Sequence, residues 1–180
     1  GDQINYVSEW QRDGKIKGRT CANGSVQREY IGREESTSPT ASTDAVILTA
    51  IIDAKQGRDV MVADVPHAFV QTPINKERLI KGDRMIMKIR GVLVDMLVAM
   101  NPAKYYDFVK TDKKGNKMLY VMMLKALYGM LIASLLYYKK FLTDIQKIGF
   151  ETNPCDPCVA NRIVNGKQHT LTWHVDDIKS

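Results

Sequence analysis

Apolar residues recur at the spacing of an amphipathic helix in two segments of the chain. In residues 44–56 the apolar positions at this spacing are Val46, Ile47, Ala50, Ile51 and Ala54. Ser42 or Thr43 can cap the start of that segment, and Gly57 follows its end. Residues 131–148 show a similar period. The pattern therefore predicts two helices, over 44–56 and 131–148.

Other segments carry the signals of strands and turns. Residues 59–65 form a short β-branched run that we interpret as a buried strand, with a helical turn after it over 67–71. Asn165 and Gly166 separate two apolar segments, 158–164 and 167–175, which is a strong hairpin signal. Further strand candidates are 84–90, 105–110 and 117–123, with a turn over 113–116, and 92–100 predicts a short helix.

The first forty residues are polar and interrupted by glycine, so short strands or loops are expected there. Together the elements predict an α+β fold, in which helices 44–56 and 131–148 back an antiparallel sheet. A chain of 180 residues with 44% apolar and 26% charged residues is long enough for one globular unit with a real core. Disordered and fibrous classes are excluded by this composition.

Cysteine content and the length of apolar runs narrow the class further. Three cysteines, an odd number, argue against a secreted disulfide scaffold. The uncharged apolar runs are far shorter than the roughly 18 residues that a membrane span needs. We therefore expect an intracellular protein with no membrane partner. A net charge of +6 suits a polyanion such as nucleic acid, although many domains carry similar charge for solubility alone.

Three aspartates are the strongest candidates for chemistry. Asp176 and Asp177 follow an apolar strand candidate, and Asp64 lies inside the 59–65 segment. One interpretation of the doublet is a solvated turn, since aspartate is common in turns. The other is that carboxylates on neighbouring strands share a divalent cation such as Mg²⁺. Two such ions support in-line phosphoryl displacement, and nucleotidyl transfer is the reaction that this chemistry favours.

Five short boxes follow one another along nearly the whole chain: K-G-R-T-C-A at 17–22, D-V-P-H-A-F at 64–69, L-K-A-L-Y-G at 124–129, D-P-C at 156–158 and H-V-D-D at 174–177. In their order and spacing they resemble the boxes of copia-type (pseudoviral) LTR-retrotransposon reverse transcriptases. Residues 64–69 resemble that family's D-V-x-x-A-F box, and residues 174–177 stand where its Y-V-D-D box belongs. The resemblance implies a right-hand polymerase palm with partial fingers, divided into a fingers-like part over about 1–58 and a palm-like part over 59–180.

The resemblance also implies metal ligands and the activity. Asp64, Asp176 and Asp177 would ligate catalytic Mg²⁺ or Mn²⁺, with the backbone carbonyl of Val65 as an extra ligand. The implied reaction is RNA-directed DNA polymerisation, in which a primer 3′-hydroxyl attacks a deoxynucleoside triphosphate. Implied partners are an RNA template, a DNA primer, dNTP and the rest of a Gag-Pol-like polyprotein with thumb, RNase H and integrase. The implied location is cytoplasmic virus-like particles.

Further residues take roles by position in the boxes. Phe69 would be the steric gate under the incoming sugar, or else a core aromatic. Arg19 and Lys17 would contact the triphosphate, or else be solvated surface bases. Tyr128 and Gly129 would lie where the template or the nascent base pair is contacted, or else form a strand-to-helix corner. His174 would pack beside primer or template.

The chain departs from the family pattern at three places. His174 replaces the usual tyrosine, and residues 130–137 replace the usual L-K-Q-A-P-R-A-W, so a template-facing segment loses its lysine, glutamine, proline and arginine. The chain also stops three residues after Asp177, before any thumb. We therefore expect the hairpin to lack its returning strand and to leave an unpaired edge.

The sequence is also compatible with two alternative functions, and it contains one cysteine pair with the spacing of a zinc site. The alternatives are a catalytically inert retroelement-derived fragment that at most binds nucleic acid, and a two-metal nuclease. The spacing of Cys155 and Cys158 suggests zinc, but a structural zinc site needs four ligands. The only other candidate ligands, Cys21, His67, His169 and His174, form no second paired motif.

Overall fold

The computed structural model describes residues 2–10, 14, 16–74 and 84–180, and the side chains of 2–10, 16, 17 and 19 lie outside that description. The described chain is mixed α and β. Its strands are β1 (Asp2–Trp10), β2 (Ile16–Ala22), β3 (Val62–Asp64), β4 (Ile86–Arg90), β5 (Lys110–Thr111), β6 (Lys117–Met122), β7 (Glu151–Thr152), β8 (Val159–Val164), β9 (Lys167–His174) and β10 (Asp177–Lys179). Its α-helices are α1 (Arg33–Ser36), α2 (Thr43–Gln56), α3 (Ala68–Gln71), α4 (Val92–Met100), α5 (Pro102–Tyr105) and α6 (Ala133–Lys147). The segments Gly24–Glu29 and Tyr106–Phe108 are 3-10 helices.

The strands form two five-stranded sheets instead of the single sheet predicted. The first has the order β2-β1-β4-β6-β5 and includes one parallel pair, β1 with β4. The second has the order β3-β10-β9-β8-β7 and is antiparallel throughout. The first sheet contains strands from both sides of residue 58, the approximate boundary predicted between the fingers-like and palm-like parts.

The two long helices form where the sequence predicts them. Ser42 caps α2, its side chain accepting a hydrogen bond from the N–H of Ala45, and Gly57 ends the helix in the left-handed conformation. Helix α6 lies over the second sheet, where Phe141 and Ile145 pack in the cluster that contains Leu171 and Trp173. The hairpin between β8 and β9 turns at Asn165 and Gly166, both with positive φ, as the Asn-Gly signal predicts.

Two of the predicted strands differ from the structure. The segment 59–65 is not a buried strand, because only Val62–Asp64 is extended and it lies at the edge of its sheet with Val62 76% exposed. The segment 105–110 is mostly helical. Pro102 occupies the first turn of α5, and the Asn101 side chain accepts a hydrogen bond from the N–H of Lys104, so local capping favours a helix start there.

The hairpin after His174 does have a returning strand. Residues Asp177–Lys179 form β10, which pairs with β9 on one side and β3 on the other. The predicted unpaired edge is therefore wrong for β10, and the edge strands of this sheet are β3 and β7. Within the described ranges, no helix has both the length and the apolarity needed to cross a membrane.

Asp156, in the D-P-C box, ties α2 to the second sheet. Its carboxylate accepts hydrogen bonds from the N–H of Ser42 at 2.9 Å, the hydroxyl of Ser42 at 2.9 Å and the N–H of Cys158 at 2.8 Å. Burial alone would raise the pKa of Asp156, but these three hydrogen bonds outweigh it and hold the pKa below its usual value. Burial also raises the pKa of Cys158 to about 12, so this thiol stays protonated at neutral pH.

We expect Asp156→Asn to lower the free energy of unfolding by about 2 kcal/mol, because an amide cannot replace a carboxylate that accepts three hydrogen bonds. The lowered pKa also means that this contribution is present above the unfolded-state pKa near 4 and is lost as the pH falls through the folded-state value. Urea unfolding at pH 7 and pH 3 measures both effects. The exposed Asp107→Asn is the matched control, and equal losses in the two variants would contradict the anchoring role.

Candidate active site

The register of β3 against β10 places two of the three predicted aspartates opposite each other. Asp177 pairs with Asp64 in the antiparallel ladder. The N–H of Val65 donates to the carbonyl of Asp176 at 3.0 Å, and Met61 and Ser180 exchange two bonds at 2.9 and 2.8 Å. This alternation makes Asp64 and Asp177 a non-hydrogen-bonded pair, the kind in which Cα atoms lie about 4.5 Å apart and both side chains project from the same face.

The doublet lies in a tight turn with a strained backbone. His174 and Asp177 pair across the hairpin, which leaves Val175 and Asp176 as the two turn residues. Val175 has φ 56°, a left-handed conformation that is rare for a β-branched residue. Such conformations cost about 1–3 kcal/mol and concentrate at functional sites. Strain at Val175 is therefore a second sign of function at the doublet, and one that the sequence does not show.

Residues from four of the five boxes line one cleft of about 900 Å³. The cleft-lining residues are Gly18, Thr20 and Cys21 from β2, Asp64, Val65, Pro66, His67 and Val70, Leu127 and Tyr128, and Asp176. These boxes are separated by up to about 150 positions in sequence and meet only through the fold. The D-P-C box lies elsewhere, at the anchor of α2.

The acidic side chains meet in pairs and do not converge as a triad. Asp64 and Asp176 line the cleft, whereas Asp177 lies beside Asp64 in the ladder and is not among the cleft-lining residues. In the part of the chain that the structure describes, no three His, Cys, Asp or Glu side chains are arranged to hold a metal ion. The donors themselves suit Mg²⁺, which prefers carboxylate and carbonyl oxygen. A shared cation would require the carboxylate of Asp176 to lie within coordination distance of the Asp64–Asp177 pair.

The predicted gate residue, Phe69, packs beside the cleft and does not line it. It is half-buried, with its ring 4.7 Å from the ring of Tyr128 and 6.1 Å from that of Tyr137. Tyr128 is half-buried and lines the cleft. Phe69 therefore packs against Tyr128, which lines the cleft, and its role as a gate stays a prediction.

Tyr137 is a buried phenol close to the acidic pair that sequence reasoning missed. The residue is 4% exposed, and its hydroxyl has no hydrogen-bond partner among the described residues. Burial, followed by the negative charges of Asp176 and Asp64, raises the pKa of Tyr137 to about 12. The phenol therefore stays neutral around the carboxylates at physiological pH.

The segment 130–137, predicted to face the template, lies mainly in the core. Met130, Ile132, Ala133 and Tyr137 are all buried, and the first three belong to the core cluster that also contains Ala22. Burial explains why the segment is apolar, since a lysine or arginine there would be costly.

Three further predicted residues are Lys17, Arg19 and His174, and His174 is not among the described residues that line the cleft. His174 is exposed at the hairpin. In β2, Lys17 pairs with Glu9 and Arg19 with Val7 along the backbone, but the side chains of Lys17 and Arg19 lie outside the described residues. Their predicted contact with a triphosphate stays a prediction.

Lys179 positions the strand that carries Asp177 and was also missed. Its ammonium group lies 2.7 Å from a carboxylate oxygen of the buried Asp53 and donates to the Thr49 hydroxyl at 3.0 Å. Arg58 lies 3.5 Å from the other oxygen of Asp53. These contacts join β10 to α2. The sequence gives no signal of this contact, because the burial of Asp53 is visible only in the fold.

Gly129 allows the cleft walls to approach. Its φ is 86°, and a Cβ built at this position would overlap the carbonyl oxygen of Ala22. A Cβ on Gly24 would in turn overlap the carbonyl oxygen of Gly129. The N–H of Ala22 donates to the carbonyl of Tyr128 at 2.7 Å, which closes the contact. Gly129 thus has a steric role that places Tyr128 against β2.

Comparisons of the chain with family models, with curated proteins and with solved structures return no match. The function of the chain is therefore inferred from its residues and their geometry.

We expect Gly129→Ala to destabilise the protein by about 3 kcal/mol, because the variant adds overlap with backbone to the cost of a positive φ. Gly149→Ala is the matched control: its φ is 88°, and no atom lies within 4 Å of the added Cβ. That variant should lose only about 1 kcal/mol. Chemical denaturation measures both values, and similar losses would show that the contact between residues 129 and 22 is not the constraint.

Proposed function

We propose that the chain carries the fingers and palm of a copia-type reverse transcriptase and catalyses RNA-directed DNA polymerisation. The observation that carries the proposal is the cleft: residues of four family boxes line it together, with Asp64 and Asp176 among them. A chance resemblance in short motifs gives no reason for residues so distant in sequence to share one surface.

The geometry supports a role for each side of the cleft. Asp64, Asp176 and Asp177, with the carbonyl of Val65, would hold Mg²⁺, which would neutralise the charge of the reacting phosphates. The pairing of β3 with β10 fixes the backbone of these residues before substrate binds. Strand β2 forms the opposite wall, and a triphosphate between the walls would contact its backbone and the Tyr128 side.

Nucleic acid would bind chiefly through its phosphates. The net charge of +6 favours such a partner. Binding through phosphate contacts releases counterions, so affinity should fall steeply as salt rises. Base-specific contacts are not required for polymerisation on an arbitrary template.

The direct test is primer extension on an RNA template with dNTP in Mg²⁺ or Mn²⁺. We expect incorporation by the wild-type chain and a loss of at least about 100-fold in Asp64→Asn, because a charge that stabilises the transition state is removed. Asp59→Asn, an exposed aspartate that does not line the cleft, should retain activity. Cleavage of nucleic acid without dNTP would support the two-metal nuclease instead.

The second candidate, an inert nucleic-acid-binding fragment, is favoured by one observation: the three carboxylates do not converge among the described residues. A folded wild-type chain that binds primer and template but extends nothing would support this candidate and reject polymerase activity for these residues.

Metal binding can be tested without catalysis. In EDTA we expect Asp64→Asn to melt at a higher temperature than wild type, because it removes a like-charge pair across the ladder. Added Mg²⁺ or Mn²⁺ should raise the Tm of the wild type by mass action and should raise that of Asp64→Asn much less. Scanning fluorimetry with Asp59→Asn as the control measures this, and equal metal shifts in all three proteins would contradict a shared cation at Asp64.

A further inference from the structure

Helix α2 turns its apolar side to solvent. Ile47, Leu48 and Ile51 are 53%, 59% and 57% exposed. The helix forms where the apolar spacing predicts it, but its central apolar residues do not pack in a core. Contiguous exposed apolar side chains on one helix are typical of an interaction surface.

The opposite side of α2 explains this orientation. The buried positions are Thr49 and Asp53, and both contact Lys179 of β10. The helix is thus attached to the sheet by polar contacts and by the Asp156 anchor at Ser42. Because the polar side of α2 packs against the sheet, the apolar side faces away from the sheet. It has no partner within the described chain.

Two residues of opposite charge, Asp44 and Lys55, lie at the two ends of the exposed apolar surface of α2. At 3.6 residues per turn, Asp44 and Lys55 fall on the same stripe as Leu48 and Ile51, within an arc of about 100° that also includes Ile47. Asp44 and Lys55 are exposed, and neither has an ion-pair partner among the described residues. They lie about 16 Å apart along the helix axis.

This arrangement is complementary to itself. If two copies of α2 lie antiparallel about a two-fold axis between positions 49 and 50, Asp44 of each copy faces Lys55 of the other. Leu48 then faces Ile51 in both directions. A two-fold interface requires such a self-complementary patch. An anionic membrane surface would instead call for several basic residues, and α2 contains one lysine.

We propose that the chain forms a homodimer through antiparallel packing of the exposed surface of α2, made of Asp44, Ile47, Leu48, Ile51 and Lys55. The apolar residues supply the buried area. The two Asp44–Lys55 pairs select the antiparallel orientation and a second copy of this chain as the partner.

Analytical ultracentrifugation over a range of protein concentrations tests the proposal. We expect a wild-type dimer that Ile51→Glu converts to monomer at every concentration. Ile163→Glu, at an apolar residue 69% exposed on β8, should leave the dimer intact. Circular dichroism and Tm verify that each variant is folded. A monomeric wild type, or a dimer that survives Ile51→Glu, would overturn the proposal, whatever else the surface binds.

Exchanging the charges of Asp44 and Lys55 tests the antiparallel orientation of the two helices. Because the test depends on the recovery of dimerisation, a loss of stability caused by a charge change at a helix end does not affect its outcome. D44K or K55D alone turns both interchain pairs into like-charge pairs, so dimerisation should weaken roughly tenfold. A mixture of the two single variants restores opposite charges at both ends, and so does the double variant D44K/K55D. We expect heterodimer in the mixture with near wild-type affinity at low salt. Failure of both the mixture and the double variant to recover would rule out the antiparallel register.

Discussion

The pairing of β3 with β10 is the constraint on which the acidic site depends. Both strands are three residues long, and a shift of one residue would carry Asp177 to the opposite face from Asp64. Such short strands do not fix a register by themselves. The register is held from outside, because Ile178 packs in the cluster of Trp173 while Lys179 is bound to Asp53 of α2. The site is therefore positioned by contacts on both faces of β10.

The same region concentrates the unfavourable features of the fold. Two carboxylates face each other across a ladder, Val175 adopts a left-handed conformation, and the Tyr137 hydroxyl is buried with no partner in the described chain. Each of these lowers stability, and they persist only because the surrounding packing determines the conformation. Unfavourable charge, backbone and hydrogen-bond features that cluster in one region are expected at functional sites. They give a physical argument for function that does not depend on the resemblance.

Features with a local cause could be predicted from the sequence, whereas several features with a tertiary cause could not. Ser42 and Gly57 define α2, and Asn165 and Gly166 define a hairpin, because caps and turns need only neighbouring residues. The edge position of β3 and the exposed apolar side of α2 depend on which surfaces the sheet leaves available. Of the candidate site, the closeness of Asp64 to the doublet was predictable from the motifs. That Asp176 lines the cleft while Asp177 does not could not be predicted, since Asp176 lies in a turn whose other residue, Val175, has a conformation that valine rarely adopts.

The packing explains why residues 130–137 are apolar. Ile132 and Ala133 are 2% exposed, so polar side chains at these positions would lose their hydration without gaining partners. The apolar segment and the contact between Gly129 and Ala22 belong to one packed unit, since Ala22 joins Ile132 in the same cluster. In this chain the segment holds the cleft walls together. This packing leaves Thr20 accessible, because Thr20 is exposed and lines the cleft.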